Sequence, residues 1–77
     1  METEQLIMIV SKVMKVDPKE VSLNTTFIED LGADSLDIMR IILNTEEQFN
    51  IKLPKDAVYS INTVLDALNI IKKIKKA

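Results

Sequence analysis

Apolar residues recur three and four positions apart in three separate stretches of this chain, the spacing that lines one face of a helix. Leu6, Ile9, Val10, Val13 and Met14 mark the first, from about residue 3 to 15. Leu36, Met39, Ile42, Leu43 and Phe49, with Ile38 and Ile41 widening the stripe, mark a second from about 35 to 50, roughly 24 Å long at ~1.5 Å per residue. Leu65, Leu68, Ile71 and Ile74, with Val64 and Ala67 beside them, mark the third. Asp17-Pro18 should end the first, because the residue before a proline is pushed out of the α region. Asp34 or Ser35 can cap the second, and Asn62-Thr63 the third. Pro54 suits the start of a short helical turn through Asp56, Ala57, Val58 and Tyr59. The expectation is an all-α, four-helix bundle of three longer helices and one short one, forming one domain over residues 1–77.

Residues 16–34, between the first two helices, make a connection longer than the ~2–8 residues usual in bundles, and loops of that length tend to carry function. Val16, Val21, Leu23, Phe27, Ile28 and Leu31 are scattered through it, which pins it to the core. No internal repeat, low-complexity stretch or linker interrupts the chain.

With 77 residues the core is thin. No cysteine or histidine is present, so disulfides are excluded and neither a zinc site nor any other metal centre is expected. The same absence removes Ser-His and Cys-His catalysis, because no side chain has an ordinary pKa suited to taking a proton from a nucleophile near neutrality. A hydrolase is not expected on those grounds, and the chain reads as a non-enzyme. No apolar run approaches the ~20 residues that span a bilayer, and no basic, Ser-rich leader opens the chain; a cytoplasmic protein without membrane insertion is expected. A pI near 5.0 argues against nucleic acid as partner. The net charge of −2 hides a division: residues 1–51 hold ten acids against four bases, whereas residues 52–77 hold six lysines against two acids. Lys72, Lys73, Lys75 and Lys76 complement the dipole at the last helix's C-terminus.

The segment Glu29-Asp30-Leu31-Gly32-Ala33-Asp34-Ser35-Leu36-Asp37 concentrates the unusual features. A serine that starts a helix is ordinarily its N-cap. Here Asp34 can cap instead, leaving the Ser35 hydroxyl free. Gly32 supplies a backbone bend just before it, and four carboxylates flank it where one or two would answer the helix dipole.

The string from Phe27 to Asp37 resembles the attachment-site motif of acyl carrier proteins, in which the serine of Asp-Ser-Leu bears a 4′-phosphopantetheine arm. The likeness extends over nearly the whole chain. Val16-Asp17-Pro18 with Val21 resembles the family's end of helix I, Glu46-Glu47-Gln48-Phe49 through Leu53-Pro54 the passage from helix II to III, and Ile61-Asn62-Thr63-Val64 the start of helix IV. The resemblance implies that Ser35, flanked by Asp34 and Leu36, accepts the arm from coenzyme A through a separate Mg²⁺-dependent phosphopantetheinyl transferase. The arm would supply the thiol this chain lacks. Acyl chains held there as thioesters would be shuttled between fatty acid synthesis enzymes and acyltransferases. Glu29, Asp30, Asp34, Asp37, Glu46 and Glu47 would meet basic patches on those partners, and Met39 and Arg40 would also bind partners, Arg40 interrupting the acids where the family commonly has one. A monomer suits an arm that must reach several active sites.

Phe27, Ile28, Ile42, Leu43, Tyr59, Ile61 and Leu68, with Leu36 and Met39, are expected in the core. A thin helical core can also part, so the first seven are candidates to line an acyl chain. The same fold could carry an aminoacyl, D-alanyl or polyketide unit instead. An unmodified helical module fits less well: the helix after Ser35 lacks the basic character of a DNA-reading helix. A calcium loop begun at Asp30 puts glycine third and Ile41, not glutamate, twelfth.

Overall fold

A computed structural model describes residues 2–76, and the side chains of all of these except Val58 and Lys76. The expected roles of Val58 in the short turn and Lys76 at the last helix end therefore lie outside the described side chains. Four α-helices run α1 (Glu2–Met14), α2 (Ser35–Phe49), α3 (Ala57–Ser60) and α4 (Val64–Lys76), with a 3₁₀ turn at Pro18–Glu20. α1 packs against α2 and α4, and α3 packs against α2.

α1 ends earlier than its proline suggested. Lys15 turns left-handed at φ 58°, and Val16 N–H donates back to Ser11 O at 3.0 Å. Asp17 then works as a cap: its carboxylate accepts from Lys19 N–H at 2.9 Å and starts the 3₁₀ turn that Pro18 opens. α2 closes similarly, with Asn50 at φ 55°, a conformation that asparagine tolerates better than most residues. At the start of α4, Thr63 Oγ1 accepts from Asp66 N–H at 3.1 Å, while Asp66 Oδ2 accepts from the N–H groups of Asn62 and Thr63, both at 3.0 Å. Those two backbone donors, Thr63 first, hold the Asp66 carboxyl below its ordinary pKa.

The long connection is fastened at both ends of its return. Val21 and Phe27 are buried, Phe27 completely. Phe27 N–H donates to Asn62 O (3.0 Å), Val64 N–H to Thr25 O (3.1 Å) and Leu65 N–H to Leu23 O (3.0 Å), an antiparallel bridge centred on Thr26 and Thr63. The core joins Leu6 and Val10 of α1, Ile38, Ile41 and Ile42 of α2, and Val64, Leu68 and Ile71 of α4 around that phenylalanine. Leu65 is an exception to the expected inward stripe at 38% exposed, and Ile74 is half-buried.

α2 corrects the sequence expectation most. Its buried face is Ile38, Ile41, Ile42 and Thr45, whereas Leu36 (62% exposed), Met39 (45%) and Leu43 (56%) face solvent. Apolar residues occupy so much of this helix that periodicity alone allows two stripes. The neighbouring α1 and α4 select the isoleucines. Thr45 tolerates the centre of that face because its hydroxyl donates to Ile41 O at 2.7 Å. Ile28 and Tyr59, also expected inside, are 61% and 87% exposed.

Candidate functional site

The loop that presents Ser35 is built by local hydrogen bonds. Thr26 and Asp30 bind each other reciprocally, Thr26 N–H to Asp30 Oδ2 at 2.9 Å and Asp30 N–H to Thr26 Oγ1 at 3.0 Å. Gly32 sits at φ 69°, and a Cβ added there would meet nothing within 4 Å. Its requirement is backbone freedom, not space. The turn it makes lets Ala33 N–H donate to Phe27 O at 2.9 Å, so the chain reaches α2 anchored to the backbone of a completely buried residue of the loop.

Asp34, not Ser35, is the N-cap of α2. Asp34 Oδ1 accepts from Asp37 N–H at 2.8 Å, and Asp37 Oδ2 accepts from Asp34 N–H at 3.3 Å, a reciprocal capping box. Ser35 is thereby left as the first helical residue, exposed, and among the described residues no hydrogen bond engages its Oγ. The hydroxyl is exposed at a helix start, and the two carboxylates nearest it in sequence, Asp34 and Asp37, are engaged with each other's backbone N–H groups.

The acids expected to form one face are not equivalent, and Asp37 and Glu46, nine residues apart on α2, point to opposite sides of the helix. Glu29 and Glu47 are exposed. Asp30, Asp34 and Asp37 each accept one backbone N–H near the site. Glu46 is half-buried and its Oε2 accepts from Leu53 N–H at 2.7 Å, tying the end of α2 to the following loop. Its carboxylate is therefore partly committed within the chain. Arg40 is exposed. Among the described residues the ion pair within 4.0 Å is Lys75 Nζ to Glu2 Oε2 at 3.1 Å, far along the chain from Arg40. No group of three or more His, Cys, Asp or Glu among the described residues is placed to hold a metal ion.

Of the residues expected to line an acyl chain, Ile42 and Ile61 border an internal cavity of only about 10 Å³ between α2, α3 and α4. Phe27 and Leu68 are buried in the adjoining core, whereas Ile28, Leu43 and Tyr59 lie on the surface. Sequence reasoning missed Ile41, Thr45, Leu53, Ala57, Ala67, Ile70 and Ile71 on the cavity wall. The signal was present in the small Ala57 and Ala67, which leave room between helices. A larger open groove of about 790 Å³ lies between α1 and α2, around Met8, Ile9, Val13, Asn44 and Gln48. None of the expected site residues borders it.

Comparisons with known proteins agree with this geometry. The family model described as "Phosphopantetheine attachment site" matches residues 4–71. An acyl carrier protein of Zymomonas mobilis is 42% identical over 72 residues, covering 94% of this chain and 92% of that protein. A solved structure of a putative acyl carrier protein from Mycobacterium tuberculosis superposes with a TM-score of 0.88 at 23% identity, over 95% of this chain and 97% of that one. The last likeness speaks to the fold alone.

Proposed function

Because the chain belongs to the acyl carrier protein family, marked by its phosphopantetheine attachment domain, we propose that Ser35 is the attachment point and that the surrounding acids and exposed apolar side chains present it to partner enzymes. The protein is a non-catalytic carrier, and its prosthetic group is 4′-phosphopantetheine. That group supplies the thiol on which acyl chains are held as thioesters during fatty acid synthesis. A phosphopantetheinyl transferase and fatty acid synthesis enzymes are its partners.

One observation carries the assignment of Ser35: the capping box between Asp34 and Asp37 performs the helix-starting task and leaves the serine hydroxyl exposed and free. The residues around it fit a tethered phosphate that is held covalently. A helix N-terminus favours an anion by about 0.3–1 kcal/mol, and up to ~2 when partly buried, at most a factor of about thirty. Asp34 already takes the N–H of Asp37, and the carboxylates of Asp34 and Asp37 repel a phosphate. With only the weak helix dipole to favour the phosphate and two carboxylates opposing it, the arm is read as free to swing.

Leu36, Met39 and Leu43 are exposed on α2, the helix that Ser35 starts, and Glu29, Asp30 and Glu47 are exposed as well. Exposed ion pairs contribute roughly 0.2–1 kcal/mol each, so several give salt-sensitive, rapidly released encounters with basic partner surfaces. Such a carrier works as a monomer in the cytoplasm. No described helix is long and apolar enough to cross a membrane. Phe27, Ile42, Ile61 and Leu68 are proposed to shelter an acyl chain that parts α2 from α3 and α4, enlarging the small cavity there.

Incubation with coenzyme A, Mg²⁺ and a phosphopantetheinyl transferase tests the attachment. The chain should gain the mass of one phosphopantetheine, and Ser35→Ala should gain none. No gain in the unaltered chain, or a gain that survives the substitution, rejects Ser35.

A further inference from the structure

The solvent side of α2 carries a pattern that an ordinary exposed face does not need. At about 100° per residue, the line opposite the buried isoleucines runs through Leu36, Arg40, Leu43 and Glu47. Such a line is the most polar strip of a typical surface helix. Here it alternates two leucines, 62% and 56% exposed, with one cation and one anion. Between Lys19 and Lys52 the chain holds seven acids and Arg40 as the one base. With Asp37 committed to the capping box, Arg40 makes no ion pair within 4.0 Å among the described residues. Glu47, seven residues on, is ~10 Å away along the axis.

We propose that Arg40 selects partners: the enzymes this carrier serves seat α2 in an apolar groove that offers a carboxylate to its guanidinium, within a surface otherwise basic enough to receive Glu47 and the loop acids. The inference rests on the docking face described above and adds the chemistry of its occupant. Arginine suits the task because its planar fork pairs two N–H groups with both carboxylate oxygens. A partner that is uniformly basic meets like charge at the centre of the strip and is disfavoured. The strip from Leu36 to Glu47 is about 16 Å long and one helix, ~10–12 Å, wide. That is well short of the ~800 Å² per partner of a standard stable interface, which favours a transient enzyme partner over a lasting pair of carriers.

The test compares fully loaded carriers, checked by mass, as substrates for purified acyltransferases and condensing enzymes of the source organism. Arg40→Glu should raise KM for the carrier about tenfold, with kcat unchanged and an unaltered melting temperature. Arg40→Lys should raise it less, since an ammonium cannot make the paired bonds. Replacing the facing Asp or Glu of the enzyme by Lys should restore Arg40→Glu and impair the unaltered carrier. KM values within twofold for Arg40→Glu with every enzyme overturn the proposal. The double variant Leu36→Ala, Leu43→Ala separates the causes. If it raises KM while Arg40→Glu does not, only the role of Arg40 falls; if neither raises KM, the docking face falls with it. A dimer in sedimentation that Arg40→Glu disperses and Arg40→Glu with Glu47→Arg restores would also overturn it, by naming a second copy as the occupant. A chain that no transferase loads on Ser35 removes both the attachment reading and this one.

Discussion

Substituting Asp34 and Ser35 separately distinguishes starting the helix from bearing the arm. Asp34→Ala removes the acceptor that binds Asp37 N–H at 2.8 Å and leaves one end of α2 uncapped. Losing an N-cap of this kind costs typically ~1 kcal/mol, within a range of about 0.5–2. For a domain of this size each kcal/mol moves the melting temperature by roughly 4–8 °C, so a fall of that order is expected. Asp34→Asn keeps an equivalent acceptor oxygen, and asparagine caps about as well as aspartate, so its melting temperature should stay close to that of the unaltered chain. Ser35→Ala removes a hydroxyl with no described partner and installs the best helix former; its stability should change by less than about 0.5 kcal/mol. Thermal melts followed by circular dichroism read the series, with mass spectrometry after transferase treatment recording attachment. Ser35→Ala melting as low as Asp34→Ala would mean that serine is the cap in solution and that its hydroxyl is not free. Asp34→Ala melting with the unaltered chain would remove the capping box from the account.

Three further outcomes follow from the same geometry. Gly32→Ala forces a Cβ into φ 69° and should cost about 1–2 kcal/mol, seen as a lower urea midpoint at constant slope; Gly32→Asn should lose less, and an unshifted midpoint for both would rule out the left-handed turn. The Asp66 carboxyl is held below its ordinary pKa by the N–H groups of Thr63 and Asn62, so its contribution is complete above the unfolded value of about 4 and disappears as pH falls through the lower folded value. Urea titrations at neutral pH and near pH 3 should therefore show the unaltered chain losing more stability on acidification than Asp66→Asn, and parallel losses would contradict the assignment. Loading with acyl chains of four, six and eight carbons should raise the melting temperature progressively, since each buried CH₂ contributes ~0.8 kcal/mol before the cost of opening the small cavity; acyl forms melting no higher than the unacylated carrier would count against an internal shelter.

The boundaries of the helices were largely legible because they are written in local chemistry. Asp34 before an apolar run, Pro54 before Ala57 and Asn62-Thr63 before Val64 all mark starts that the structure contains. The attachment motif was legible through its resemblance to the acyl carrier family, since local chemistry showed only a serine whose capping task Asp34 could take. The orientation of α2 was not, because Leu36, Met39 and Leu43 compete with Ile38, Ile41 and Ile42 on equal hydrophobic terms, and packing against α1 decides between them. Nor could Glu46 be separated from Glu47 by type. Its diversion to Leu53 N–H depends on Asn50 turning left-handed and folding the chain back. Ile28 and Tyr59 were misplaced because an apolar side chain in a loop or short helix carries no periodicity from which a facing direction can be read.

The backbone bridge between Thr26 and Thr63 bears on how such a carrier comes into service. Local hydrogen bonds shape the loop before Ser35, and this bridge ties it to a segment more than thirty residues downstream, so the loop is fastened to the core only when the distal third of the polypeptide is in place. A molecule lacking its last helix keeps the Asp34–Asp37 box at the start of α2 but loses the tie that holds the preceding loop to the entry of α4.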